Sequence, residues 1–225
     1  MKLFILILFS VCIYQASAYR ILDWLTNDGD DEDVDQVPTG TLTAMAEITN
    51  ECLQQGGWGQ CSFYDCLENR FPCSDDGYTN KISKHFCTKI DQNYHLFDEF
   101  GRLWLNQTSI CLIRHMLPIY QQEEATCEEI KQAGITAILS CNNAQVDGRT
   151  FCSFLSTNGG AYNSLMETEE LRLMASLGEP RVFASMVSQA LGCGVSGLAD
   201  TLRNLGYTVS EFAGNVFSSV RGWFS

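Results

Sequence analysis

The sequence is poor in positive charge, in proline and in long apolar stretches. Its 225 residues include 14 lysines and arginines against 27 aspartates and glutamates, which gives a formal net charge of −13 at pH 7. Such an excess of negative charge argues against nucleic acid and against anionic membrane surfaces as partners. Because only 4 residues are prolines and 45% are apolar, most of the chain is expected to fold around one core.

After the N-terminus, no stretch approaches the length of a membrane helix, so we expect no stable membrane insertion. Met1-Lys2 is a short basic start, Leu3–Tyr14 is almost entirely apolar, and Ala16-Ser17-Ala18 has the small residues that a signal peptidase requires. This pattern predicts a signal peptide over residues 1–18 and a secreted, extracellular protein that begins at Tyr19.

The spacings that typically bind zinc are also missing. Neither Cys-x2-Cys nor His-x3–5-His occurs, and the three histidines, His85, His95 and His115, fall about one per predicted helix. The sequence therefore predicts no metal site and no cofactor.

Cysteine, by contrast, is abundant. Of the 11 cysteines, Cys12 lies in the predicted signal peptide, which leaves ten. An even number in an oxidising compartment predicts disulfides. The spacing leaves their pairing open, although Cys52 and Cys66 flank Gly56-Gly57 and are near enough in sequence to close a small loop. The ten are Cys52, Cys61, Cys66, Cys73, Cys87, Cys111, Cys127, Cys141, Cys152 and Cys193.

Acidic residues crowd into the segment 19–40, most densely in Asp28–Asp35. Mutual repulsion and few apolar side chains predict that this segment is disordered. An EF-hand calcium loop requires a glycine at its sixth position and a distant glutamate, which Asp28-Gly29-Asp30-Asp31 does not supply. We expect diffuse, weak attraction of cations here and no specific calcium site.

Apolar residues recur at helical spacing through residues 41–225, which predicts an all-α, disulfide-cross-linked helical bundle in a single domain. A polar connection around Cys152 is predicted from Asn142 to Asn163. The predicted helices are Leu42–Cys52 with a stop at Gly56-Gly57, Thr79–Ile90, Leu96–Leu105, Ile110–Tyr120, Glu123–Leu139, Leu165–Leu177, Pro180–Leu191 and Val195–Phe224.

Two motifs and the order of the cysteines carry a resemblance to a known family. Cys66-Leu67-Glu68-Asn69 is followed by Cys73 and by Asp76-Gly77-Tyr78. A second match lies before Cys111 and comprises Phe97-Asp98, Gly101-Arg102 and Trp104-Leu105. With these motifs and the spacing of its ten mature cysteines, the segment from about residue 42 to residue 220 resembles the stanniocalcins, a family of secreted glycoprotein hormones.

The resemblance implies both a disulfide pairing and a function. It implies a regulatory role in calcium or phosphate homeostasis through an extracellular receptor, or alternatively inhibition of a pappalysin-type metalloproteinase. The implied pairs are Cys52–Cys66, Cys61–Cys87, Cys73–Cys127, Cys111–Cys141 and Cys152–Cys193.

Two features depart from the family pattern. Stanniocalcins usually carry a further cysteine that links two subunits, whereas no cysteine follows Cys193 here, so we expect no covalent homodimer through that position. The sequence leaves open whether two chains form a non-covalent homodimer. The family's glycosylated asparagine corresponds to Asn69, but Asn69-Arg70-Phe71 is not an acceptor sequence. The acceptor in this chain is Asn106-Gln107-Thr108, which predicts a glycan on Asn106.

No constellation typical of an enzyme is present. A phospholipase A2 requires a His-Asp pair beside consecutive cysteines, and neither this arrangement nor Gly-x-Ser-x-Gly, His-Glu-x-x-His or a P-loop occurs. The paired carboxylates Glu123-Glu124 and Glu128-Glu129 are expected to form a solvated face near a helix start. The sequence therefore predicts a protein without catalytic activity.

The last predicted helix leaves an alternative open, a secreted protein that interacts with lipid. Tyr207–Phe224 is rich in aromatic residues, but Arg221 is its one cation. Because interfacial helices normally have a cationic polar face, we expect this helix to pack on its own core or on a second subunit.

Overall fold

The computed structural model describes residues 36–141 and 145–166 and the single positions 169, 170, 173, 182 and 193. The predicted signal peptide, residues 19–35 of the predicted acidic segment and the predicted helix Val195–Phe224 lie outside the described residues. Of the predicted helices Leu165–Leu177 and Pro180–Leu191, the structure describes residues 165 and 166 and the single positions 169, 170, 173 and 182.

Helices dominate the described residues, and the all-α, disulfide-linked class is confirmed. The helices are α1 (Asn50–Gly57), α2 (Phe63–Arg70), α3 (His85–Gln92), α4 (Glu99–Tyr120), α5 (Cys127–Cys141) and α6 (Phe151–Leu165). A π-helical turn, Thr79–Lys84, leads into α3, and a 3₁₀ turn, Tyr94–Leu96, follows it. Two short strands, β1 (Thr41–Thr43) and β2 (Glu124–Thr126), pair antiparallel. Within the part of the chain that is described, no helix is both long and apolar enough to cross a membrane.

The prediction of a helix that begins at Leu42 is wrong over its first residues, because Thr41–Thr43 form strand β1. Leu42 lies opposite Ala125 of β2. Helix α1 begins at Asn50, since Thr49 has an extended backbone and its side chain accepts a hydrogen bond from the amide of Cys52. The end of α1 at Gly57 agrees with the predicted stop.

Helix α4 joins two segments that the sequence predicts as separate helices. It is 22 residues long and begins after Asp98, whose side chain accepts a hydrogen bond from the amide of Gly101 at 2.6 Å. The polar residues Asn106 and Gln107, which interrupt the apolar pattern, lie on its exposed side. They therefore leave the helix itself uninterrupted.

Helix α6 occupies most of the stretch that the sequence predicts as a polar connection. Phe154, Leu155 and Leu165 are buried on one side of the helix, and the ring of Phe154 stacks on Trp104 of α4 with centroids 4.5 Å apart. Gly159-Gly160 and several polar residues weaken the local helical signal. Packing against α4 outweighs that weak propensity.

Two clusters of buried side chains meet along α4. The first lies around the C-terminal half of α4, where Ile113 and Tyr120 pack with residues of α2 and α5. The second lies at its N-terminal half, where Trp104 packs with Phe97 and with α6. Helix α4 is therefore the element that both cores share.

Candidate functional site

Five disulfides join the ten cysteines of the predicted mature chain. The Cα atoms of each pair lie between 4.9 Å apart, in Cys152–Cys193, and 5.9 Å apart, in Cys52–Cys66. These distances are within the range that a disulfide spans without backbone movement. The pairs are the same five that the stanniocalcin resemblance implies: Cys52–Cys66, Cys61–Cys87, Cys73–Cys127, Cys111–Cys141 and Cys152–Cys193.

Three of the bridges start from the segment around α2 and lead to three different helices. Cys66 is bonded to Cys52 of α1, and Cys61, just before α2, is bonded to Cys87 of α3. Cys73, just after α2, is bonded to the first residue of α5, with a sequence separation of 54. The region from residue 61 to residue 73 is therefore a junction to which α1, α3 and α5 are all covalently tied.

The first family-like motif, residues 66–78, lies at this junction and has a structural role. Leu67 is fully buried. Glu68 Oε1 accepts a hydrogen bond from the amide of Cys73 at 2.7 Å, which closes the turn after α2. Burial raises the pKa of the Glu68 carboxyl, and the hydrogen bond from Cys73 offsets part of that rise. Both residues therefore have contacts within the fold.

Tyr78, at the end of the same motif, packs directly on the backbone of α5 at Gly134. A Cβ on Gly134 would overlap the tyrosine ring. Burial raises the pKa of Tyr78 to about 12, so its hydroxyl stays protonated. The motif thus contacts α5 through this ring as well as through the Cys73–Cys127 bond.

Sequence reasoning missed a buried arginine, Arg70, at the end of α2. It is 2% exposed, and its guanidinium donates hydrogen bonds to the carbonyl oxygen of Ala46 and, at 2.6 Å, to that of Gln122. Arg70 also lies 3.4 Å from Glu123 Oε1 and 5.8 Å from the ring centroid of Tyr120. It therefore ties the chain after β1 to the chain before β2. No local signal reveals this role, since Ala46 and Gln122 are 24 and 52 residues away in sequence.

A second buried ionic group that sequence reasoning missed is Glu170. Its side chain is 1% exposed and bonds to Lys89 Nζ and, at 3.3 Å, to His85 Nε2. Burial alone would raise its pKa, but the hydrogen bonds with Lys89 and His85 outweigh that effect and hold the pKa of Glu170 below its ordinary value. The group is a satisfied internal ion pair that connects α3 to the chain after α6.

Three side chains among the described residues have the composition of a metal site. Ligand atoms of Cys111, His115 and Cys141 all lie within 4.8 Å of one another. The two sulfur atoms are bonded to each other, so neither supplies the thiolate that a zinc site of this kind needs. His115 Nδ1 bonds instead to the carbonyl oxygen of Cys111 at 2.9 Å. We assign no metal to this cluster.

The paired carboxylates near α5 lie at the surface, and one of them has a specific partner. Glu123, Glu124, Glu128 and Glu129 are all exposed. Glu129 accepts hydrogen bonds from the amide and hydroxyl of Thr126, while the Glu129 amide donates to that hydroxyl. This is a capping box, and the bond from the Thr126 amide holds the pKa of Glu129 below its ordinary value. The Thr-x-x-Glu spacing is the signal from which it was predictable.

The predicted glycosylation site lies in the middle of α4. Asn106 is exposed, as a glycan acceptor in a folded protein must be. Asn69, the counterpart of the family's acceptor, is also exposed, but it lacks the acceptor sequence. The surface of α4 around Asn106 is therefore where a glycan would project.

Comparisons with known proteins identify no family. No protein-family model matches the chain, and neither the curated proteins nor the solved structures yield a match. The resemblance to stanniocalcins rests on the motifs and cysteines of this chain alone.

Proposed function

We propose that the protein is a secreted glycoprotein that resembles the stanniocalcins and acts as a hormone or regulatory protein by binding another extracellular protein. The observation that supports this most strongly is the disulfide framework. Its five pairs coincide with the set that the resemblance implies, and the most family-like motif lies where three of the bridges converge.

Secretion is supported by two independent features. Residues 1–18 have the three parts of a signal peptide. The density of disulfides fits an oxidising compartment, since cytosolic reductants keep most thiols reduced. The proposed location is therefore the extracellular space.

A binding function, without catalysis, is supported by the way the polar groups are used. The buried charges Arg70 and Glu170 bond to other parts of the same chain, and Glu68 accepts a backbone hydrogen bond. Hydrogen bonds of this kind, made within the chain, stabilise the fold. From the resemblance to the stanniocalcins, we propose that the protein regulates calcium or phosphate transport through a receptor.

The experiment uses the mature protein, secreted from cultured cells and purified under non-reducing conditions. It is applied to an epithelial layer whose uptake of radiolabelled calcium and phosphate is measured. The same protein after reduction and alkylation of its cysteines is the matched control. We expect the native protein, and not the control, to change the uptake of one of the two ions.

A second assay separates the alternatives. The protein is added to a pappalysin-type metalloproteinase with a peptide substrate, and to neutral lipid vesicles in a flotation assay. Inhibition of cleavage without a change in transport would favour the inhibitor alternative, and flotation alone would favour the lipid-binding alternative. If none of the three responses occurs, the proposed function is wrong.

A further inference from the structure

Trp58, at the end of α1, is an exposed tryptophan with no cover among the described residues. Its side chain is 63% exposed, and Leu103 of α4 is 37% exposed. Tryptophan has a large apolar face, and it is one of the residue types that are enriched where proteins make contacts. The structure around it indicates what that contact is.

The position of Trp58 relative to α4 is fixed by its neighbour Gly59. Helix α1 runs antiparallel to the last turns of α4, since the amide of Thr49 donates to the hydroxyl of Tyr120 at 3.3 Å and Gly59 packs against Ile110. Gly59 has a φ of +72°, and a Cβ there would lie 2.7 Å from the backbone nitrogen of Ile110. Glycine is therefore required at this contact, which holds the backbone next to Trp58 against α4.

Asn106, the predicted glycan acceptor, lies on the same side of α4 as Ile110, one turn closer to the N-terminus of the helix. Residues three and four apart share a helix face, so Leu103, Asn106 and Ile110 are aligned. Four residues correspond to about 6 Å along the helix axis. Because α1 runs antiparallel to α4 and ends at Gly57, its C-terminal end points toward the turn of α4 that contains Asn106. Asn106 is exposed and begins the acceptor sequence Asn106-Gln107-Thr108.

We propose that an N-linked glycan on Asn106 lies over Trp58. The chemistry of the two partners is complementary. The first sugars of such a glycan, N-acetylglucosamines, present axial C–H groups on the faces of the ring, while their hydroxyl groups and the acetamide project from its rim. The apolar face packs on the indole ring while the hydroxyls stay in water, as amphipathic groups do at exposed aromatic residues.

This inference rests on the proposed secretion, because an N-glycan is added only in the secretory pathway. It has a consequence for partner binding. A glycan that covers the Trp58 surface excludes that surface as the place where a receptor, a protease or a second copy of the chain binds. Such a partner must use another side of the molecule.

The test measures how accessible Trp58 is to a small quencher. The full mature chain is secreted from cultured cells, and quenching of tryptophan fluorescence by acrylamide is recorded before and after enzymatic removal of N-glycans from the folded protein. The Trp58→Phe protein, treated in parallel, supplies the signal of the other tryptophans for subtraction. We expect glycan removal to increase the quenching constant of Trp58 about twofold, because the ring becomes exposed.

Asn106→Gln is the second variant, and its Trp58 quenching should match that of the enzymatically deglycosylated protein. If intact mass shows no glycan on Asn106, or if its removal leaves Trp58 quenching unchanged, the proposal is overturned. Protection of Trp58 that depends on protein concentration and not on the glycan would also overturn it, in favour of a second copy. None of these outcomes bears on transport or protease inhibition, so failure here is distinguishable from failure of the proposed function.

Discussion

Gly134 lies in α5 at the point where the ring of Tyr78 presses against the helix backbone. Both residues are buried. The contact connects the turn after α2 to α5, and it needs a residue without a Cβ on the helix side. Nothing in the local sequence marks this glycine, because a glycine within a helical pattern usually indicates weak propensity and no more.

We expect Gly134→Ala to lower the free energy of unfolding by about 1–3 kcal/mol, the usual cost of forcing extra atoms into a packed core. The matched control is Gly160→Ala in α6, where a Cβ would have nothing within 4 Å. Because alanine favours a helix over glycine by about 1 kcal/mol, the control should be neutral or slightly stabilising. Urea unfolding followed by circular dichroism, with the disulfides intact, measures both. Equal stabilities of the two variants would contradict the expectation.

At the scale of whole elements, one polar cluster joins the start of α4 to the middle of α6. Asp98 accepts hydrogen bonds from the amide of Gly101 at 2.6 Å and from Asn158 Nδ2 at 2.9 Å. In return, Asn158 Oδ1 accepts from the Asp98 amide at 2.9 Å. The bond from Gly101, followed by that from Asn158, holds the pKa of Asp98 below its ordinary value.

This lowered pKa predicts how the stability depends on pH. A carboxyl whose folded pKa lies below its unfolded pKa, about 3.9 for aspartate, stabilises the fold fully above the unfolded value. That contribution is lost as the pH falls through the folded pKa. We expect Asp98→Asn to melt at a lower temperature than the natural protein at pH 7, and the difference to shrink as the pH is lowered past the ordinary aspartate pKa.

Asp91→Asn, at an exposed residue of α3, is the control for this series. Melting curves of the three proteins from neutral to acidic pH supply the measurement. A difference for Asp98→Asn that stays constant with pH would show that the charge of Asp98 has no part in the cap.

The elements that the sequence predicts well are those whose burial follows a local repeat. Ile130 and Ala137, seven residues apart, have the spacing of one face of α5, and both are buried. Strand β1 could not be found in this way, because Leu42 fits a helical spacing too and its partner Ala125 is far along the chain. The same holds for Arg70, whose side-chain hydrogen bonds all reach distant segments of the chain. Acceptor sequences, caps and cysteine spacing are local signals, whereas partners in space are not.

At the scale of the whole molecule, the disulfide pairing predicts whether chains are covalently linked to one another. All ten cysteines of the predicted mature chain are paired within the chain. We therefore expect a single chain on a non-reducing gel and, by intact mass, an increase of about 10 Da on reduction, two hydrogens for each bond. Peptide mapping without reduction identifies the partners. A disulfide-linked dimer, or a free thiol that reacts with a maleimide, would contradict this assignment.

The disulfides should also differ in how much of the stability they supply. In the chain-entropy description, a bridge stabilises more when it closes a longer loop. The separation is 54 residues for Cys73–Cys127 and 14 for Cys52–Cys66. We expect replacement of both members of the first pair by alanine to lower the free energy of unfolding by about 4 kcal/mol, against about 3 kcal/mol for the second pair.

Burial increases this difference, because Cys73 is 1% and Cys127 5% exposed, whereas Cys52 and Cys66 are only partly buried. The two double variants are compared by urea unfolding and by the amount of protein secreted, so that a variant too unstable to purify still gives a result. The Cys73→Ala, Cys127→Ala protein should unfold at the lower urea concentration or be secreted less. If loss of Cys52–Cys66 is the more damaging, loop length and burial do not set the hierarchy, and strain or residual structure in the unfolded chain does.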